Sequence, residues 1–197
     1  MIEPIFSTPI YKSNNLYQFS KDELDCLKSF KMIDNRGNEV TEEKNIFSSP
    51  KLSQLKRWCE ANVNSFMDDL GKSEGAKLYV TQSWFNKTTP HNHHHSHMHP
   101  NSILSSVLYV EGPRSPTHFY KGDSFNNFSF FKKTEGNPYT ANKVSVLNEP
   151  GRLVLFPSYL HHEVDTNKGN SDRYSISFNT FIKGEFGDYS NLTELKI

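Results

Sequence analysis

The spacing of apolar positions changes once along the chain. Before Gly71 they recur at steps of three and four. From Lys77 onward they alternate or cluster in short runs between Gly, Pro, Asn and Ser. The first pattern belongs to helices buried along one face, the second to strands. Residues 5–11 read as an opening strand. Ser20, followed three residues on by Glu23, forms a capping box, and Phe19 and Leu24 have the spacing of a hydrophobic staple. A helix is predicted from there to about Lys31. Ser49-Pro50, a cap residue with Pro behind it, starts a second helix. Its apolar face is Leu52, Leu55, Cys59, Val63, Phe66 and Leu70, and Gly71 ends it. Neither helix carries a chemical motif, so both are expected to pack against a sheet.

Strands are predicted at about 77–87, 102–111, 117–121, 143–147, 151–157, 161–166 and 173–183. Many short strands with no helix between them point to a sandwich or a jelly-roll barrel. The polar, Phe-dotted stretch 122–142 reads as a long loop over a site.

Composition narrows the function classes. Net charge is zero, which argues against a general binder of nucleic acid or membrane surfaces. The 15 Phe and 9 Tyr agree with a β-rich fold. No apolar stretch nears the roughly 20 residues that span a bilayer, and no basic leader precedes an apolar run. The cytoplasm is the expected location. Cys26 and Cys59 fall in helical segments and are expected to be reduced and buried. The Asn-x-Ser/Thr triplets at Asn86, Asn127 and Asn191 carry little meaning without a secretion route. No internal repeat appears, and 197 residues suit one domain.

The histidines supply the chemistry. Six of the nine fall within residues 91–99. A His-rich surface loop with loose metal affinity is the bland reading. Two features argue for more. His97 and His99 lie just before the strong strand ILSSVLYVEG, and on an extended chain a spacing of two points them the same way. Two such imidazoles can share an iron, zinc or copper ion. His95 shares their phase, whereas His91 and His93 read as loop. Downstream, a turn after an apolar strand leads into His161-His162, of which only one can face the metal.

The last strand places Arg173, Ser175, Ser177 and Asn179 on one face and Tyr174, Ile176 and Phe178 on the other. The polar face either meets water or lines a barrel that holds a small anion. In the second case Arg173 is suited to grip a carboxylate through two parallel hydrogen bonds.

The blocks HMHPNSILSSVLYV and PGRLVLFPSYLHHEV…RYSISFN, in that order, resemble the 2-oxoglutarate/Fe(II)-dependent oxygenases, and most nearly a branch found in phages and marine bacteria. Ser83-Trp-Phe-Asn86 and the early IFSTPIY agree. The resemblance covers about residues 77–183 firmly and the N-terminal third loosely. It implies a cupin-like double-stranded β-helix, a jelly-roll barrel, with N-terminal helices packed outside it. Residues 1–197 then form one domain: an opening strand and packing helices (1–76), the β-helix core (77–183) and a tail (184–197).

The resemblance makes His97 and His162 ligands of Fe(II), with Leu160 and Val164 flanking the latter's strand. Arg173 becomes the partner of the distal carboxylate of 2-oxoglutarate, with Ser175 beside it and Asn86 and Tyr109 as further contacts. Most of the superfamily places Asp or Glu two residues after the first ligand. Here that position is His99. The third ligand is then His99, or a carboxylate such as Asp123 or Asp165. The implied reaction consumes O2 and 2-oxoglutarate, releases succinate and CO2, and hydroxylates a C–H bond of a small-molecule or peptide substrate. No nucleic acid or membrane partner is expected, and for a phage-borne protein the location is the host cytoplasm. Two rival readings share the fold: a three-histidine dioxygenase that does not use 2-oxoglutarate, and a metal-binding module without activity.

Overall fold

The computed structural model describes residues 7–72, 75–121 and 141–197. In chain order the elements are β1 (Tyr11–Lys12), α1 (Lys21–Ser29), β2 (Met32–Asp34), β3 (Glu39–Thr41), α2 (Ser53–Asp69), β4 (Lys77–Thr88), β5 (His94–His97), β6 (Leu104–Glu111), β7 (Thr117–Tyr120), β8 (Lys143–Val146), β9 (Leu153–Pro157), β10 (His161–Val164), β11 (Arg173–Lys183), β12 (Glu185–Phe186) and β13 (Leu195–Lys196).

The capping box of α1 forms as predicted. Glu23 accepts from the Ser20 backbone and the Ser20 hydroxyl accepts from the Glu23 backbone. Glu23 also accepts the Tyr17 hydroxyl at 2.6 Å, which fixes the chain entering the helix. The helix stops at Ser29 rather than Lys31, because Phe30 turns extended into β2. The second helix begins with a 3-10 turn at Pro50–Leu52. Leu52, Leu55, Cys59, Val63 and Phe66 are buried as the periodicity requires, but Leu70, at the cap, is half exposed. The opening strand is short and starts only at Tyr11, and Ile5 and Phe6 lie outside the described residues.

Two sheets carry the rest. A seven-stranded sheet runs β1-β9-β6-β11-β4-β3-β2 and a four-stranded sheet runs β5-β10-β7-β8. They face each other without closing into one hydrogen-bonded barrel. A third pair, β12 and β13, forms a hairpin.

Period-two alternation explains the two cores. Phe85, Leu104, Leu108, Leu153, Leu155, Ile176 and Phe178 project from one face of the large sheet onto the apolar stripes of α1 and α2. Burying each such side chain contributes about 1.5–3 kcal/mol. Val107, Tyr109, Val154 and Phe156 project from the other face and meet Phe119 and Val146 of the small sheet. That inner layer is apolar toward β8 and β9 and polar toward β4, β11 and β5.

The strands from 77 onward lie within a few residues of their predicted places. One placement differs in kind. The His-x-His segment does not begin the β6 strand. Residues His94–His97 form β5 in the opposite sheet, antiparallel to β10, and His99 lies two residues beyond its end. Pro100 lacks the N–H a continuous ladder needs, and Asn101 turns at φ 58°, so the chain crosses from one sheet to the other between His99 and Leu104. The β2–β3 hairpin, absent from the predicted strands, adds Val40 to the inner face opposite Asn86. Residues 122–140, most of the predicted loop, lie outside the described residues, as do Asp123 and Asn127.

Candidate metal and cosubstrate site

His97 of β5 and His162 of β10 are partners across the antiparallel pair. Their ring centroids stand 4.3 Å apart. His99, two residues beyond β5, turns back onto both, at 4.9 Å from His97 and 5.1 Å from His162. The backbone N–H of His99 donates to the Ser158 carbonyl at 3.0 Å, which ties this residue to the turn leading into β10. One ring nitrogen from each of the three imidazoles lies within 4.8 Å of the others, and among the described residues this is the group that could hold a metal ion.

The hydrogen bonds select which nitrogens are free. His97 Nδ1 faces the His95 carbonyl at 2.7 Å, and His162 Nδ1 faces the Leu160 carbonyl at 2.9 Å. A carbonyl only accepts, so Nδ1 carries the proton in each ring and Nε2 keeps its lone pair. The Asn179 amide stands 3.4 Å from His99 Nδ1 and also bonds Ser105. Burial, reinforced by the neighbouring imidazoles, holds His99 at about 4 and His162 at about 3, and lowers His97 too. Neutral imidazoles with free lone pairs are the form that ligates a metal.

Of the adjacent pair, His162 is buried and His161 exposed. His95 and His94 border the cluster without joining the trio. Asp165 is directed elsewhere: its carboxylate meets His118 Nε2 at 2.9 Å.

The polar face of β11 points inward. Arg173 is 2 % exposed, Ser175 3 % and Asn179 8 %. The reading in which this face meets water is therefore overturned. The Arg173 guanidinium lies over the Tyr109 ring at 5.5 Å, and Tyr109 is held by a 2.9 Å bond between its hydroxyl and Thr117. Among the described residues, Arg173 Nε and Nη2 are buried without a hydrogen-bond partner, as are Asn86 Oδ1 and Thr88 Oγ1. Register explains why these orphans cluster: Arg173 pairs with Thr88, and Ser175 with both Asn86 and Tyr109. Asn86 Nδ2 reaches the Ser175 carbonyl and the Ser177 hydroxyl. A buried cation without an anion is costly, and burial lowers its pKa. These groups fit a small carboxylate-bearing molecule. All four residues expected around the cosubstrate, Asn86, Tyr109, Arg173 and Ser175, thus share one buried neighbourhood. Thr88 was missed, although its place opposite Arg173 follows once the β4–β11 register is known.

Residues 82–179 match the family model described as "Putative 2OG-Fe(II) oxygenase". The chain belongs to the 2OG-Fe(II) oxygenases. As a member of that family it is an oxygenase that depends on iron(II) and 2-oxoglutarate. Solved structures agree in fold. A 2OG-Fe(II) oxygenase family oxidoreductase from Burkholderia pseudomallei superposes with a TM-score of 0.59 at 13% identity, over 87% of this chain and 83% of that one. HygX from Streptomyces hygroscopicus, solved with nickel, 2-oxoglutarate and hygromycin B, gives 0.60 at 12% identity over 88% and 82%. The carbocyclase SnoK of nogalamycin biosynthesis gives 0.61 at 12% identity over 88% and 80%. This 2OG-Fe(II) oxygenase therefore has the double-stranded β-helix, with α1 and α2 packed on the large sheet. No curated protein matches the sequence. Among the described residues no helix is long and apolar enough to cross a membrane.

Proposed function

We propose that the protein hydroxylates a C–H bond of a small molecule, with His97, His99 and His162 holding the iron and Arg173 anchoring 2-oxoglutarate. The observation that carries this reading is the buried guanidinium of Arg173, whose Nε and Nη2 have no hydrogen-bond partner among the described residues, on the same inner layer as the three imidazoles. When bound, iron(II) with 2-oxoglutarate and O2 supplies the oxidising chemistry. The chain supplies the rest. His97 and His162 present Nε2 because backbone carbonyls hold their Nδ1 protons. His99 completes an all-nitrogen set in place of the carboxylate common in the superfamily.

Arg173 donates from Nε and Nη2 to the far carboxylate of the cosubstrate, in a layer dry enough to strengthen the pairing. Ser175, Asn86 and Tyr109 are buried at neighbouring register positions, and the bond to Thr117 fixes the Tyr109 ring. HygX, whose fold this chain shares, was solved with 2-oxoglutarate and a small-molecule substrate, which supports the reading. We read the chain as one domain, with residues 77–183 as its catalytic core. Free, buried Cys26 and Cys59 accord with a cytoplasmic setting, and the HMHPNSILSSVLYV block with the phage-type branch and hence a host cytoplasm.

The test is anaerobic titration of the iron(II)-loaded protein with 2-oxoglutarate, following the visible charge-transfer band of the chelate. The wild type is expected to develop the band and Arg173→Ala to need at least about tenfold more 2-oxoglutarate. Tight iron with no band in the wild type would favour the three-histidine dioxygenase that does not use 2-oxoglutarate.

A further inference from the structure

This inference rests on the assignment of iron and 2-oxoglutarate above. A cavity of about 270 Å³ opens on His97 and His99, and its other walls include Asn35, Val40, Lys44, Gln82 and Trp84. Asn86, Tyr109, Arg173 and Ser175 are not among its lining. The imidazole cluster thus borders a cavity whose walls are other residues than those grouped around Arg173.

The lining carries one formal charge. Lys44 Nζ donates to the Thr41 carbonyl, which uses one of its three protons. Among the described residues Lys44 forms no ion pair. The two carboxylates beside it in sequence act on Lys44 through space but make their direct contacts elsewhere, Glu42 with Lys31 at 2.8 Å and Glu43 with the Asn45 backbone at 2.6 Å. Among the described residues no Asp or Glu lines the cavity. Asn35 and Gln82 add amide groups, while Val40 and Trp84 add apolar wall. The indole lies 5.6 Å from the His99 ring.

An ammonium in a wall that also carries amides and a flat aromatic face, with no carboxylate in that wall, selects for an anion with a compact body. The volume sits at or below the low end of small-molecule pockets, about 300–1,000 Å³, which suits a metabolite rather than a folded partner.

We propose that this cavity binds the prime substrate, and that the substrate is a small molecule with a carboxylate or phosphate paired to Lys44 and its body against Trp84. Two cations then flank the three imidazoles, Arg173 for the cosubstrate and Lys44 for the molecule to be oxidised.

The test uses matched probes and reads binding rather than turnover. Protein loaded with iron(II) and 2-oxoglutarate is titrated anaerobically in a calorimeter. The probes are the L-amino acids against their C-terminal amides, and glycerol 3-phosphate and glucose 6-phosphate against glycerol and glucose. At least one acid or phosphate is expected to bind about tenfold or more tightly than its partner lacking the anionic group. The amino acids and the phosphates distinguish the two anions. Lys44→Met is expected to shrink that ratio to about twofold or less, and Lys44→Glu to reverse it. Both variants should keep the wild-type affinity for 2-oxoglutarate, which Arg173→Ala loses.

The inference is overturned if each anionic probe binds no better than its partner, if the preference survives in Lys44→Met, or if no anionic probe binds to protein that takes up 2-oxoglutarate. Loss of 2-oxoglutarate in Lys44→Met but not in Arg173→Ala overturns the division of roles. A wild type that takes up no 2-oxoglutarate overturns the earlier reading, and this inference with it.

Discussion

A Cβ on residue 112 would lie 2.5 Å from the Cα of Arg173 and 2.6 Å from the carbonyl oxygen of Asp172, and Gly112 sits at φ +115°. The glycine just past the end of β6 lets the chain close against the first residue of β11, where the guanidinium is launched. Gly112→Ala is therefore expected to lose about 1–3 kcal/mol of stability and to weaken 2-oxoglutarate binding together. Urea unfolding and cosubstrate titration measure the two effects. Wild-type affinity in a destabilised variant would show that the guanidinium does not depend on this close approach.

Arg173 is a buried charge held for a ligand, and its removal should show that. Arg173→Met fills similar volume without charge. Free of 2-oxoglutarate, the variant is expected to be more stable than the wild type by about 1 kcal/mol or more. In 2-oxoglutarate at a hundred times the wild-type Kd the wild type gains about 2.7 kcal/mol and a variant weakened tenfold only about 1.4, so the variant's advantage is expected to shrink or reverse. Thermal unfolding with and without 2-oxoglutarate reads both. A variant less stable in both conditions would mean that Arg173 is structural.

The paired histidines give an internal control. His162→Ala is expected to abolish tight metal binding, because it removes the cross-strand partner of His97. His161→Ala, whose side chain points outward, should change metal affinity by less than about twofold. Cobalt(II) titration monitored by absorbance separates them, and equal losses would refute the assignment of His162.

Acid should destabilise the metal-free protein. His99 and His162, held at about 4 and about 3, lie below the ordinary 6.5 of an unfolded histidine. The folded state therefore disfavours their protonation. Their contribution is complete above pH 6.5 and declines as pH falls through the window from 6.5 toward 4 and then 3, where the unfolded chain takes protons the folded one refuses. Urea unfolding in chelator at pH 7.5, 6 and 5 should show falling stability, with a smaller fall in His99→Gln/His162→Gln. Rising stability across that range would contradict the depressed values.

Much of this site could be read from the residues alone, because strand alternation converts sequence spacing into a shared face. That logic put Arg173, Ser175 and Asn179 together and required that His161 and His162 diverge. It also paired His97 with His99, which do meet, but not as neighbours on one continuous strand. Alternation holds only while the strand continues, and Pro100-Asn101 ends it, so the trio is built from a strand, a loop and a facing strand. Lys44 and Asn35 were invisible for a different reason. Asn35 sits in the turn of the β2–β3 hairpin and Lys44 just past its end, and the hairpin's three-residue strands are too short to show a period. Thr88 depended on the β4–β11 register, which is a matter of pairing rather than of local pattern.

Strand β5 lies at the margin of its sheet, bonded to β10 on one side only and with a register shift between His162 and Val164. An ion gripped by His97 and His162 would therefore also rivet that margin to its neighbour, as a covalent cross-link might. Amide hydrogens of residues 94–97 should exchange quickly in chelator and slow markedly with metal, while those of β11 stay protected throughout. Loading the metal would then be a late step of folding as well as the first step of catalysis.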